Sequence, residues 1–197
     1  MQTMQSYLSV LVLVDEANMT SAARRFQRRV DWLTLRKFLA DPDEGRRLIE
    51  MVMYVGLPPN LSNYRDRREK KQRYIRWLEH SGFLVVTKEG VPKDVEDGTY
   101  KSNVDVVMAI DAMDLALSIR PDIVVLVTGD SDFAYLATQL RRRGIIVEVA
   151  SDPQSQSETL RNSANGVIDL TEIIDDFPSL SGEVAPTIGG IDIFDDE

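Results

Sequence analysis

The chain reads as an α/β protein: a mostly parallel central sheet flanked by helices. Two observations predict this. Apolar runs of strand length alternate with stretches of helical composition, an order that folds by right-handed crossovers onto one sheet. Two of the runs, Leu8 to Val14 and Ile123 to Val127, are continuously apolar, as suits inner strands covered on both faces.

The first run ends at Asp15, and 17–29, rich in Ala, Arg and Gln, is expected to be helical. Asp31 is placed to cap a second helix over 32–40, stopped by Asp41-Pro42-Asp43. Glu50 to Val55 reads as strand two and Gly56 to Asn60 as a loop. A charged helix over 63–81 stops at Gly82, and Phe83 to Thr87 is strand three. Residues 88–102 read as a long polar loop. Val104, Met108, Ala112 and Leu115 recur at helical spacing within 103–118, and Pro121 follows the stop. After strand four, Phe133 to Arg143 reads as a helix ended by Gly144, and Ile145 to Ala150 as strand five. Residues 157–163 suggest a short helix and 167–170 a sixth, edge strand. No internal repeat is present. One domain over 8–172 and a flexible acidic tail over 178–197 are expected.

The 197 residues include no cysteine, which excludes disulfides, zinc–thiolate centres and thiol nucleophiles. No stretch approaches the ~20 apolar residues needed to span a bilayer, and the first residues lack a basic secretory n-region. A cytoplasmic protein without membrane partners is the expectation. The net charge of −9 is unevenly held: residues 162–197 carry nine acids and no Lys or Arg, which leaves 23 acids and 23 bases before them. An acidic total therefore does not argue against local basic patches on the body.

In open α/β sheets, ligands gather beyond the C-terminal strand ends. Strand one is followed by Asp15-Glu16-Ala17-Asn18 and strand four by Thr128-Gly129-Asp130-Ser131-Asp132-Phe133. The helix between them adds Asp105 near its start and Asp111 inside it. Converging aspartates repel one another, and a bound divalent cation removes that penalty. Mg²⁺ and Mn²⁺ take carboxylate and water oxygens, and can activate water against a phosphodiester. The plainer role for Asp130 or Ser131 is to cap the helix that follows. Two acidic strand ends plus an acid-bearing helix favour a metal site.

At these residues the sequence resembles the NYN domain, especially its LabA-like bacterial group, a branch of the PIN-like nuclease superfamily. Val12 to Asn18 is similar to the family's strand ending in Asp-Gly-x-Asn. Lys101 to Asp111 is similar to its Lys-x-x-x-Asp helix start with a second Asp six residues on. Leu126 to Phe133 is similar to its Ser-Gly-Asp-x-Asp-Phe turn. Order and spacing agree over about 140 residues. The resemblance implies a Rossmann-like PIN/NYN fold, with Asp15, Asp105, Asp130 and Asp132 as metal-binding carboxylates and Asp111 as a fifth catalytic candidate. It adds Asn18, Lys101 and Ser131 as polar groups toward substrate. Glu16 stands where the family usually has Gly. It either narrows the approach of a phosphate or adds another carboxylate.

Residues 65–76 hold seven bases against two acids, with Tyr64, Tyr74 and Trp77 interleaved, a composition that suits a phosphate backbone with stacked bases and equally suits a solvated helix face. Arg24, Arg25, Arg28 and Arg29 form a second basic cluster after Asp15, and Arg24 and Arg28 are the expected substrate contacts. Arg141 to Arg143 read as cations opposing a helix dipole. His80 is the only histidine and lies at a helix end, so histidine chemistry is not expected. No glycine fingerprint for a nucleotide cofactor follows strand one. Ile173-Ile174-Asp175-Asp176-Phe177 and Ile191-Asp192-Ile193-Phe194-Asp195-Asp196 pair apolar groups with acids, as in a solubilising tail, a docking peptide or a phosphate mimic over a basic cleft.

The reading is a metal-dependent ribonuclease acting on single-stranded RNA with Mg²⁺ or Mn²⁺. The superfamily leaves room for a homodimer. The alternative is a non-catalytic regulator of the same fold binding RNA or a protein. A Toprim-like site, imitated by Glu16 and Asp130-x-Asp132, fits Asn18 and the Asp111 helix less well.

Overall fold

A computed structural model describes residues 7–94 and 99–181, and the backbone of 187–188 and 191–192. Strand β1 (Leu8–Asp15) runs directly into helix α1 (Glu16–Arg25), and α2 (Trp32–Leu39) follows. Next come β2 (Arg46–Leu57), α3 (Arg65–His80), β3 (Leu84–Glu89), β4 (Val91–Asp94) and β5 (Thr99–Lys101). Helix α4 (Val104–Ile119) leads to β6 (Ile123–Val127), α5 (Ala134–Arg141), β7 (Ile146–Ser151), α6 (Glu158–Ser163), β8 (Gly166–Asp169) and α7 (Thr171–Asp175). Short pairs β9 (Thr187–Ile188) and β10 (Ile191–Asp192) close the described chain.

The main sheet has six strands in the order β3-β2-β1-β6-β7-β8, every pair parallel. The chain builds outward from β1 in one direction, then returns past it to build in the other. Topology thus reverses between β1 and β6, and the crevice of such a sheet opens at their C-terminal ends. Both strands are almost wholly buried, as their uninterrupted apolar sequence requires.

Alternating side chains feed two cores. Val10, Val12, Val14, Met51 and Met53 face Trp32, Leu35, Leu39 and Leu78. Leu11, Leu13, Val52, Tyr54 and Leu126 face Met108, Ala112, Ala116, Leu136, Leu140 and Leu160. At Ala112 and Ala116, α4 presents only a methyl to this core.

Several expectations shift. Helix α1 ends at Arg25 rather than 29, because the chain turns sharply with Gln27 at φ 56°. Strand β2 begins four residues before Glu50: its first half pairs with β1 while its side chains alternate between intermediate and exposed, so apolarity does not announce it. The expected loop 88–102 contains the antiparallel hairpin β4–β5. Its Tyr100 packs edge-on to Tyr64, and the Tyr64 hydroxyl donates to the Thr99 carbonyl at 3.0 Å. The first apolar–acidic group of the expected tail belongs to the body: Ile173, Ile174 and Phe177 are core residues, each sequestered from water at the sheet's α1–α3 side. Ser179 bridges Arg28, and Leu180 N–H donates to the Gln27 carbonyl. The second group lies largely outside the described residues. Among the described residues no helix is long and apolar enough to cross a membrane.

Candidate active site

Asp15 is the last residue of β1 and the N-cap of α1, where one carboxylate oxygen accepts from Asn18 N–H at 3.1 Å. An acid is favoured at this position because it satisfies an orphan amide and meets the positive end of the helix dipole. Only 6% of Asp15 is exposed. Burial, opposed by the Asn18 bond and reinforced by Asp105, Glu16 and Asp130, pushes its carboxyl up to about 6.

Across the switch point, β6 ends in Thr128-Gly129-Asp130. Thr128 is buried, and its hydroxyl accepts from Asp130 N–H at 3.2 Å. Asp130 in turn caps the single 3₁₀ turn Ser131–Phe133, accepting from Asp132 N–H at 2.9 Å. The capping role and the cluster role therefore coexist. Asp105, in the first turn of α4, is half-buried. Its carboxyl is raised by burial first, then by Asp130 and Asp132, while Lys101 opposes the rise. Asp15, Asp105, Asp130 and Asp132 thus form one electrostatically linked set drawn from three elements.

Asn18 joins the two strand ends directly. Its Oδ1 accepts from Gly129 N–H at 3.1 Å. Gly129 is required for the same close approach: a Cβ there would stand 2.3 Å from the Ser155 carbonyl oxygen. An acidic cleft opens beside these groups, lined by Asp15, Asn18, Tyr100, Lys101, Asn103 and Asp105 among others.

The remaining expected residues divide. Ser131 is exposed on the 3₁₀ turn. Asp111 lies deeper along α4, where its charge acts on the Tyr54 hydroxyl, which burial and Asp111 together raise above the ordinary phenol range. Asp111 is not among the groups that act on Asp15 or Asp105, so it stands outside the linked set. Arg24 and Arg28 do not face the acidic cleft: they line a neighbouring pocket on the α2–α3 side of α1. Glu16 turns that way as well. Its buried carboxylate pairs with Lys71 Nζ at 2.9 Å and accepts from the Thr20 hydroxyl. Neither expectation for Glu16 describes it. It contributes charge to Asp15 but leaves the acidic cleft open.

Asp152, just past the end of β7, is not among the site residues expected from sequence, although the strand-end rule that marks Asp15 and Asp130 marks it too. It is wholly buried, 2.7 Å from Arg25 Nη2, and bonded by Ser155 Oγ and the Gln154 and Ser155 amides. Burial would raise its carboxyl, but the Ser155 hydroxyl, Arg25 and the amides outweigh burial and hold it below the usual range.

The donor set is entirely carboxylate oxygen, and the neighbouring carboxylates raise the proton affinity of Asp15 and Asp105, so it suits a hard divalent cation. Asp15 would be the central ligand, with Asp105, Asp130 and Asp132 around it. As the side chains stand, no three His, Cys, Asp or Glu residues among those described converge closely enough to hold an ion together.

A family model for the NYN domain matches residues 9–173. Among solved structures, the chain is similar to a protein of unknown function from Vibrio parahaemolyticus, at 24% identity and TM-score 0.68, covering 90% of this chain and 99% of that one. That likeness concerns the fold alone. A pyrazinamidase/nicotinamidase from Streptococcus mutans overlaps 85% of this chain and 97% of its own at 12% identity and TM-score 0.32, which carries no argument. No curated protein matches.

Proposed function

Because the chain belongs to the NYN domain family, whose fold is that of the PIN-like nucleases, we propose that it is a metal-dependent ribonuclease hydrolysing RNA phosphodiester bonds at the acidic cleft. The observation that carries this is Asp15: a buried aspartate at the topological switch point, raised by burial and by Asp105, Glu16 and Asp130. Such an arrangement destabilises the empty site, and a cation repairs it.

In this reading Asp15, Asp105, Asp130 and Asp132 hold Mg²⁺ or Mn²⁺, which would supply charge neutralisation and polarisation at the phosphodiester. The protein's own groups do the positioning. Asn18 keeps the β1 and β6 carboxylates in fixed relation. Lys101, next to Asp105, offers a cation to a nonbridging phosphate oxygen. Ser131 stands exposed between two acids, where it can donate to substrate. Asp111 and Tyr54 support the floor. The cleft is open, which suits a single strand. Assignment to the LabA-like group belongs to the same proposal.

The rival reading is a regulator that binds RNA without cutting it. It is favoured by one observation, that among the described residues no three carboxylates converge as the side chains stand. Cleavage of end-labelled single-stranded RNA with Mn²⁺, with Mg²⁺ and with chelator, beside Asp130→Asn, decides between them. Metal-dependent cutting lost in the variant is the expected result. Binding without cutting by either protein would establish the regulator.

A further inference from the structure

Three neighbouring strands, β1, β6 and β7, end side by side on the rim that carries the site. The first two ends hold Asp15 and Asp130. The third holds Asp152, which is not among the groups that act on Asp15 or Asp105. Its carboxylate is engaged elsewhere. Oδ1 accepts from the Gln154 and Ser155 amides at 3.0 and 3.1 Å, and Oδ2 from Arg25 Nη2 at 2.7 Å and from the Ser155 hydroxyl. A wholly buried anion needs such bonds. Two donors on each oxygen also fill the lone pairs that a metal ion would need. Asp152 is an anchor rather than a ligand.

What it anchors is the loop after β7. Ser155, held by its amide and its hydroxyl, lays its carbonyl against Gly129, so close that a Cβ there would stand 2.3 Å away. Ser157 N–H then donates to the Gly129 carbonyl at 3.0 Å. Gly129 is thus bonded both to this loop and to Asn18, and Asp130 is the next residue. The other partner of the anchor is Arg25, the last residue of α1, the helix whose first turn Asp15 caps. Ten residues of helix make that arm about 15 Å long. The contacts close a ring: from Asp15 along α1 to Arg25, across to Asp152, through the loop to Gly129, and back by Asn18 to Asp15.

We propose that Asp152, paired with Arg25, is a positioning residue of the acidic site. It fixes where the β6 strand end stands relative to Asp15, and so how well Asp15, Asp105, Asp130 and Asp132 grip a divalent cation. The cation half of this rests on the nuclease reading; the placement of the strand end does not.

The test uses the full chain, with Asp152→Asn, Arg25→Gln and Arg25→Lys. The Arg25 side chain is 41% exposed, so its replacement leaves the core packing intact. The double variant Arg25→Gln/Asp152→Asn, which removes both charges, serves where a single one fails to fold. Leu39→Val, in the core of α2 away from this ring, controls for loss of stability alone. Amide chemical shifts are recorded without metal, Mn²⁺ affinity is measured by calorimetric titration, and RNA affinity by anisotropy in chelator. We expect the Gly129, Asp130 and Asn18 amides to move in the folded Asp152→Asn and Arg25→Gln proteins. Mn²⁺ affinity should fall about tenfold, as when a group that orients metal ligands is lost, with RNA affinity in chelator unchanged. Arg25→Lys, which keeps the charge, should recover most of the Mn²⁺ affinity. Unmoved Gly129 and Asp130 amides in a folded variant would overturn the proposal. So would an equal fall in Mn²⁺ affinity for Leu39→Val, which would make the effect one of stability. If the amides move and even the parent takes up no Mn²⁺, the positioning role stands and the metal reading falls.

Discussion

Asn18 Oδ1 accepts a hydrogen bond from Gly129 N–H at 3.1 Å, so the two acidic strand ends are joined by one side chain. Asn18 N–H meanwhile donates to Asp15, which makes this residue the link between the carboxylate of β1 and the backbone that carries Asp130.

Replacing it should therefore affect geometry more than stability. Asn18→Ala is expected to cost about 1–2 kcal/mol, the loss of one part-buried bond with its acceptor deleted. Single-turnover RNA cleavage should slow by at least ~10-fold, as expected when carboxylates shift against one another. A variant that cuts at the parent rate would remove Asn18 from the positioning role.

Asp15 predicts an unusual stability profile. Its folded-state carboxyl titrates at about 6, against 3.8 unperturbed. The native state thus holds a proton that the unfolded chain has already released between those values. The group is neutral to stability below about 3.8, and its penalty grows as pH rises to about 6 and is complete above it. Asp15→Asn, which keeps the cap, should then stabilise the metal-free protein at pH 7 by on the order of 2–3 kcal/mol, and by nothing below about pH 4. Denaturant midpoints at both pH values check this, and equal midpoints at pH 7 would count against a strained Asp15.

Added Mn²⁺ or Mg²⁺ should raise the melting temperature of the parent protein, since an ion that binds only the folded state stabilises it by mass action. The same addition should do little for Asp15→Asn. Differential scanning fluorimetry in metal and in chelator provides the comparison. No shift for the parent at millimolar Mn²⁺ would remove the metal from the mechanism.

Gly129→Ala is the steric counterpart. The new methyl would meet the Ser155 carbonyl at 2.3 Å, backbone against side chain, and something must move. A loss of about 1–3 kcal/mol is expected, together with loss of cutting, because the displaced strand end also carries Asp130. A variant as stable and active as the parent would mean the 153–157 loop yields freely.

What the sequence discloses tracks what each residue does locally. Strands β1 and β6 are legible because burial on both faces leaves a continuous apolar record. Asp15 and Asp130 are legible because they interrupt it. The β4–β5 hairpin is silent: its strands are short and edge-like, and what orders it is Tyr100 meeting Tyr64 from another part of the chain. Glu16 resembles an extra cleft carboxylate until Lys71, 55 residues away, shows which way it turns. Asp111 keeps the family's spacing, yet the helix carries it down toward Tyr54. Ile173, Ile174 and Phe177 look like tail residues because their partners are supplied only by the folded sheet.

The order of strands also sets a timetable. The Ser9–Asp122 bond beside the β1–β6 ladder joins residues 113 apart. At roughly 5–20 residues per second, ribosomal synthesis leaves β1 waiting roughly 6–23 s for its second neighbour. Once β2 is made, β1 has it on one edge and an open row of amides and carbonyls on the other until β6 follows. The crevice that makes the site is, during birth, a sticky seam. Nascent chains should need a holding chaperone most between the emergence of β2 and that of β6.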